Sequence, residues 1–85
     1  MSEAKNTDLN ILITGGGLIG GTLALDYSRK LAGAEIVVYE VDPAAAENLR
    51  QELSRKEATN IRVVSSDEEL LDAASRADVV DHCVP

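Results

Sequence analysis

The chain has 85 residues, 45% of them apolar and 27% charged, and its 8 basic against 15 acidic residues leave a formal net charge of −7. That length bounds it to one small domain, and the acidic balance argues against nucleic acid or an anionic membrane surface, because phosphate contacts need clustered cations. Cys83 is the single cysteine, so a disulfide-stapled secreted scaffold is excluded and a reducing, cytoplasmic setting is expected.

Residues 1–8 read as a polar, flexible tail, and residues 9–85 as one domain. Leu9 to Thr14 is a short β-branched run stopped by glycine, which predicts a strand. From Leu18 to about Leu31 the spacing turns helical, with Ile19, Leu23, Tyr27 and Leu31 recurring every fourth position and Gly33 following as a stop. Ile36–Tyr39 predicts a second strand, apolar enough to be buried on both faces. Asp42-Pro43 then reads as an N-cap with proline at the first helical position, ahead of a helix that puts Ala46, Leu49 and Leu53 on one face. A third strand follows at Ile61–Val64. Ser66 and Glu69 have capping-box spacing before a short helix whose apolar face is expected at Leu70, Leu71 and Ala74. Val79 to Val84 predicts a fourth strand. No apolar run approaches the ~18 residues of a membrane span, the opening is no signal peptide, and two tyrosines without Phe or Trp offer no platform for stacking bases.

The order β-α-β-α-β-α-β, with no hairpin signal, predicts an α/β fold. A doubly wound, Rossmann-like parallel sheet with right-handed crossovers and strand order 3-2-1-4 is expected, truncated relative to a full dinucleotide-binding domain.

Gly15-Gly16-Gly17-Leu18-Ile19-Gly20 has the pattern G-x-G-x-x-G between a predicted strand and a predicted helix, the context that gives this pattern meaning. Gly15 allows the tight turn, Gly17 lets a diphosphate approach the backbone, and Gly20 lets the helix close on the sheet. The helix start, including the amides of Leu18 and Ile19, then aims N–H groups at the anion. A phosphate loop of the nucleoside-triphosphatase type needs lysine after its second glycine, and Thr22 stands there after Gly21. Glu40 ends the second strand 20 residues beyond Gly20, where an acid that accepts from both ribose hydroxyls is expected. Its charge would repel a 2′-phosphate, so NAD is the expected cofactor rather than NADP. Asp42 is a weaker second candidate, better explained as a helix cap.

The stretch Gly15 to Ala24 resembles the opening G-x-G-L-I-G-G-[ST]-x-A of prephenate and arogenate dehydrogenases. Tyr39-Glu40-Val41-Asp42-Pro43 resembles their Y-D-x-[ND]-P, and Ala77 to Pro85 resembles the fourth strand they share with 6-phosphogluconate, 3-hydroxyisobutyrate and 3-hydroxyacyl-CoA dehydrogenases. The resemblance implies the NAD-binding segment of an NAD-dependent dehydrogenase, an oxidoreductase whose substrate domain would follow Pro85. On that reading the chain alone binds cofactor weakly and does not turn over. Asp81 and His82 depart from the family, which is apolar there. Neighbouring strand residues point to opposite faces, so these two are not expected to form a catalytic dyad, and no catalytic or metal-binding residue is assigned. His82 lies near the carboxyl end of its strand, where a cofactor contact is open to it, but strand-end location is a fold-level argument alone and a structural or solvated role is the expected one. Cys83 is expected in the core.

Two other readings share the glycine loop. A non-catalytic nucleotide-sensing module would resemble the NAD-binding domains of potassium transport, but those carry G-D-[AC]-T where this chain has Ser65-Ser66-Asp67-Glu68. An FAD-binding segment also suits Glu40 and Gly20-x-x-x-Ala24, although flavoproteins usually continue through a β-meander at this point. The bare edge of the fourth strand, or a C-terminal domain, is where a homodimer is expected.

Overall fold

A computed structural model describes residues 9–15, 17–31 and 33–83, with the backbone alone for residues 17–19. Val84, Pro85 and the expected tail lie outside the described residues.

The described chain runs β1 (Asn10–Thr14), α1 (Gly17–Lys30), β2 (Glu35–Tyr39), α2 (Pro43–Arg55), β3 (Ile61–Val64), α3 (Asp67–Arg76) and β4 (Val79–His82). All pairings are parallel, and the sheet order is β3-β2-β1-β4. The α/β architecture and strand order therefore match the reading of the sequence. Register places Ile11 beside Ile36 and Val79, and Ile13 beside Val38 and Asp81. Ile11, Leu12 and Ile13 of β1 and Ile36, Val37 and Val38 of β2 are all buried, as continuous apolar character on a two-sided sheet requires.

On one face, α1 and α2 cover Ile11, Ile13, Ile36, Val38 and Val63 with Ala24, Ala46, Leu49 and Leu53. The buried face of α2 is the expected one. On α1 the expected stripe is displaced. Leu23, Tyr27 and Leu31 are only half-buried, Ile19 lies outside the described side chains, and the seam runs through Gly20, Gly21 and the fully buried Ala24. The helix comes so close that only the smallest residues fit along it.

On the other face α3 covers Leu12, Val37 and Val64. Here the expected apolar face needs correction. Leu70, Ala73 and Ala77 meet the sheet, whereas Ala74 is exposed and Leu71 is 68% exposed. The stripe 70, 73, 77 has helical spacing, and the small Ala73 lets the helix settle on Leu12 and Val37. A choice made by side-chain size alone picks the larger Leu71 instead.

Asp42 caps α2 by accepting the Ala44 N–H (3.3 Å). At the other end Glu57 N–H reaches the Ser54 carbonyl and Ala58 N–H the Leu53 carbonyl, a Schellman closure with Glu57 in the left-handed region at φ 57°. Glycine adopts that conformation without the Cβ penalty. Glu57→Gly is therefore expected to stabilise the fold by about 0.5–1 kcal/mol, read as a higher urea midpoint at unchanged slope.

The capping box of α3 is complete. The Ser66 hydroxyl accepts the Glu69 N–H (3.2 Å), and the Glu69 carboxylate accepts from Ser66. The Ser66 hydroxyl, followed by the amides of Ser65 and Ser66, holds the Glu69 carboxyl below its usual range. A carboxyl held low stabilises the fold above its unfolded value of about 4.3, and the contribution disappears as pH falls through the folded value. Glu69→Gln keeps the box without the titration, so its denaturation midpoint should fall less than the wild type's between pH 6 and pH 3. Ser66→Ala should cost about 1 kcal/mol at pH 7.

Candidate functional site

The carboxyl ends of β1, β2 and β4 converge where the strand order reverses between β1 and β4, the place where open α/β sheets bind ligands. β1 stops because Gly15 turns left-handed, at φ 80°. Its N–H donates to the Tyr39 carbonyl (3.0 Å), carrying the β1–β2 ladder one residue past the strand. Thr14 pairs with Tyr39, so the next residues, Gly15 and Glu40, leave the sheet side by side.

α1 begins two residues later at Gly17, and its first turn consists of Gly17, Leu18, Ile19 and Gly20. Gly16 lies outside the described residues, as do the side chains of Leu18 and Ile19. Gly20 is where the helix lands. A Cβ there would stand 2.6 Å from the Gly15 carbonyl oxygen, 3.3 Å from its carbon and 3.6 Å from Ile13 Cγ2. Gly21 faces α2, with a Cβ position 2.8 Å from Leu49 Cδ1. The two residues that precede α1 are glycines with no side chain to cap it, and its first turn carries no acid. Its first amides have no acceptor within the helix, and the positive end of its dipole is not offset by a carboxylate of that turn. At the C-terminal end Arg29 and Lys30 complement the dipole.

Glu40 is half-buried, and its N–H donates to the Val64 carbonyl (2.9 Å). Its Oε2 accepts the Asp42 N–H (3.0 Å), which steadies the carboxylate. Each carboxylate oxygen has two acceptor sites, so hydroxyl donors can still be taken. The sequence reading missed this bond; its only signal is an acid two residues before an Asp-Pro cap. Tyr39 donates to Asp67 Oδ1 (3.2 Å), tying β2 to the start of α3, and partial burial together with that bond pushes its phenol above the usual value.

Asp81 and His82 part to opposite faces. Tyr27 of α1 donates to Asp81 Oδ2, and this bond, more than burial, raises the Tyr27 phenol above its usual value. His82 Nδ1 is hydrogen-bonded to Thr14 Oγ1 across the β1–β4 pair. No base–orienter pair forms between the neighbours. Cys83 is half-buried against the α1-side core rather than fully inside it, and its N–H donates to the Thr14 carbonyl (2.8 Å).

Among the described residues no three His, Cys, Asp or Glu side chains gather to hold a metal, and no helix is long and apolar enough to cross a membrane. Neither the known protein families nor the curated proteins contain a match to this chain.

Proposed function

We propose that this chain binds NAD as the cofactor-holding segment of a dehydrogenase similar to prephenate dehydrogenase. The observation that supports it most is the seat built by Gly15 and Gly20. The helix start is pressed against the turn at a distance that forbids a side chain, with Glu40 leaving the sheet beside it. These residues fit the cofactor's anionic and ribose parts. The amides of the first turn of α1, Gly17 to Gly20, would receive the diphosphate, and Gly15 and Gly16 would form the side-chain-free turn around it. Glu40 would accept from the 2′- and 3′-hydroxyls of the adenosine ribose, its carboxylate held ready by the Asp42 amide. NAD supplies a hydride acceptor when bound, while the protein supplies orientation and electrostatics. A 2′-phosphate would bring negative charge onto Glu40, so NADP is disfavoured. A cytoplasmic location accords with this cofactor and with a lone cysteine.

Isothermal titration of the full chain with NAD, NADP and FAD tests the assignment. NAD should bind, weakly but measurably, and more tightly than NADP. Tighter NADP would contradict the role given to Glu40, and FAD binding alone would replace the dehydrogenase reading with a flavin one.

A further inference from the structure

Glu40 is held twice. Its backbone carries the β2–β3 ladder one residue past the strand, with the N–H donating to the Val64 carbonyl (2.9 Å). That bond places the Cα and leaves the side-chain torsions free. The carboxylate is tied separately, where Oε2 accepts the Asp42 N–H (3.0 Å). Such a tie is only as firm as its donor, and Asp42 is firmly set. Pro43 restricts the residue before it to extended backbone, and Asp42 sits there at φ −81° and ψ 116°. Its carboxylate accepts the Ala44 N–H (3.3 Å) and its carbonyl the Ala46 N–H (2.9 Å), which closes the first turn of α2. Behind that turn Ala46, Leu49 and Leu53 are buried against the sheet. The donor that reaches Glu40 thus belongs to a helix start rooted in the core.

We propose that the Asp42 side chain is a positioning residue for NAD recognition: by capping α2 it aims its own N–H at Glu40 and sets the carboxylate before the ribose arrives. The inference rests on the NAD reading above and deepens it, since Asp42 acts through Glu40 and touches no ligand itself. Of the roughly four acceptor sites on the Glu40 carboxylate the amide uses one, and the others remain for the two ribose hydroxyls. A glutamate ordered in advance loses little rotamer freedom on binding. Without the cap, the Asp42 N–H no longer keeps one direction and Glu40 regains its torsions. The hydrogen bond of the cap matters here and its charge does not. Asparagine or serine, N-caps as good as aspartate, should therefore serve as well.

Two measurements on the full chain test this, the first without ligand. Three-bond Hα–Hβ couplings should show one χ1 rotamer for Glu40 in the wild type and in Asp42→Asn, and averaging among rotamers in Asp42→Ala. In isothermal titration, with folding checked by circular dichroism, Asp42→Ala should bind NAD about three- to tenfold more weakly than the wild type. NADP affinity should hold, so discrimination narrows. Asp42→Asn and Asp42→Ser should restore both. In a Glu40→Ala background, Asp42→Ala should change NAD affinity by less than about twofold, because the residue it acts through is gone. Equal losses of NAD and NADP in Asp42→Ala, an Asp42→Asn as weak as Asp42→Ala, or additive losses in the double variant would each overturn the proposal. So would Glu40 couplings that Asp42→Ala leaves unchanged. A wild type that does not bind NAD would overturn the cofactor reading and the recognition role with it, while the couplings would still show whether Asp42 orders Glu40.

Discussion

Gly20→Ala is expected to lower stability by about 2 kcal/mol or more, even though alanine is the better helix former by about 1 kcal/mol. The obstacle is a backbone atom. The new methyl would meet the Gly15 carbonyl oxygen at 2.6 Å, and Gly15 is pinned by its left-handed turn and by its N–H bond to Tyr39. The helix would have to lift away from the turn, disturbing its packing on Ile13. Gly21→Ala provides the comparison. Its methyl would come within 2.8 Å of Leu49 Cδ1, the tip of a side chain that can swing away. The propensity gain then offsets most of the cost, and a near-neutral result is expected. In a domain of this size each kcal/mol is worth about 4–8 °C of melting temperature, so thermal denaturation separates the two variants easily. Equal melting temperatures would contradict the seating of α1 on the turn.

The second large effect is expected at Glu40. Glu40→Ala removes an ionised acceptor, and hydrogen bonds to charged groups contribute about 1.5–3 kcal/mol, so NAD affinity should fall by roughly ten- to a hundredfold. The substitution also strips the Asp42 N–H of its partner, so a loss of NAD binding alone would not separate recognition from local structure. The NADP titration does. If Glu40 reads the ribose, NADP affinity should hold or rise while NAD affinity falls, because the charge that repels the 2′-phosphate has gone. A purely structural role would lower both in parallel. Glu40→Gln should lie between the two, keeping the shape but not the charge.

The elements legible in the sequence are those whose determinants are local. β2 is marked by an unbroken apolar run, α2 by Asp42, Pro43 and the spacing of its buried residues, and α3 by the reciprocal Ser66–Glu69 cap. The parallel order followed because every connection is a helix. The misjudged features depend on approach distance. The α1 seam through Gly20, Gly21 and Ala24 is invisible to a search for large apolar side chains, and Leu71 outweighs Ala73 by size although Ala73 makes the contact. The polar ties are long-range. Tyr39 meets Asp67 from 28 residues away, Tyr27 meets Asp81 from 54, and Thr14 meets His82 from 68, and no local pattern announces such pairs. At the candidate site, the glycine spacing and the distance from Gly20 to Glu40 were readable because turn, helix and second strand follow one another directly. The amide of Asp42 that steadies Glu40 was not, since it depends on how the chain folds back after β2.

Amide-resolved NMR of the uniformly labelled full chain, titrated with NAD, tests the central claim most directly, because it registers weak binding and locates it. Shifts should concentrate at Gly15, at Gly17 to Gly20 and at Glu40, with α3 and the β3 edge nearly silent. A spectrum that NAD leaves unchanged at millimolar concentration, or one that moves only at residues away from this turn, would contradict it.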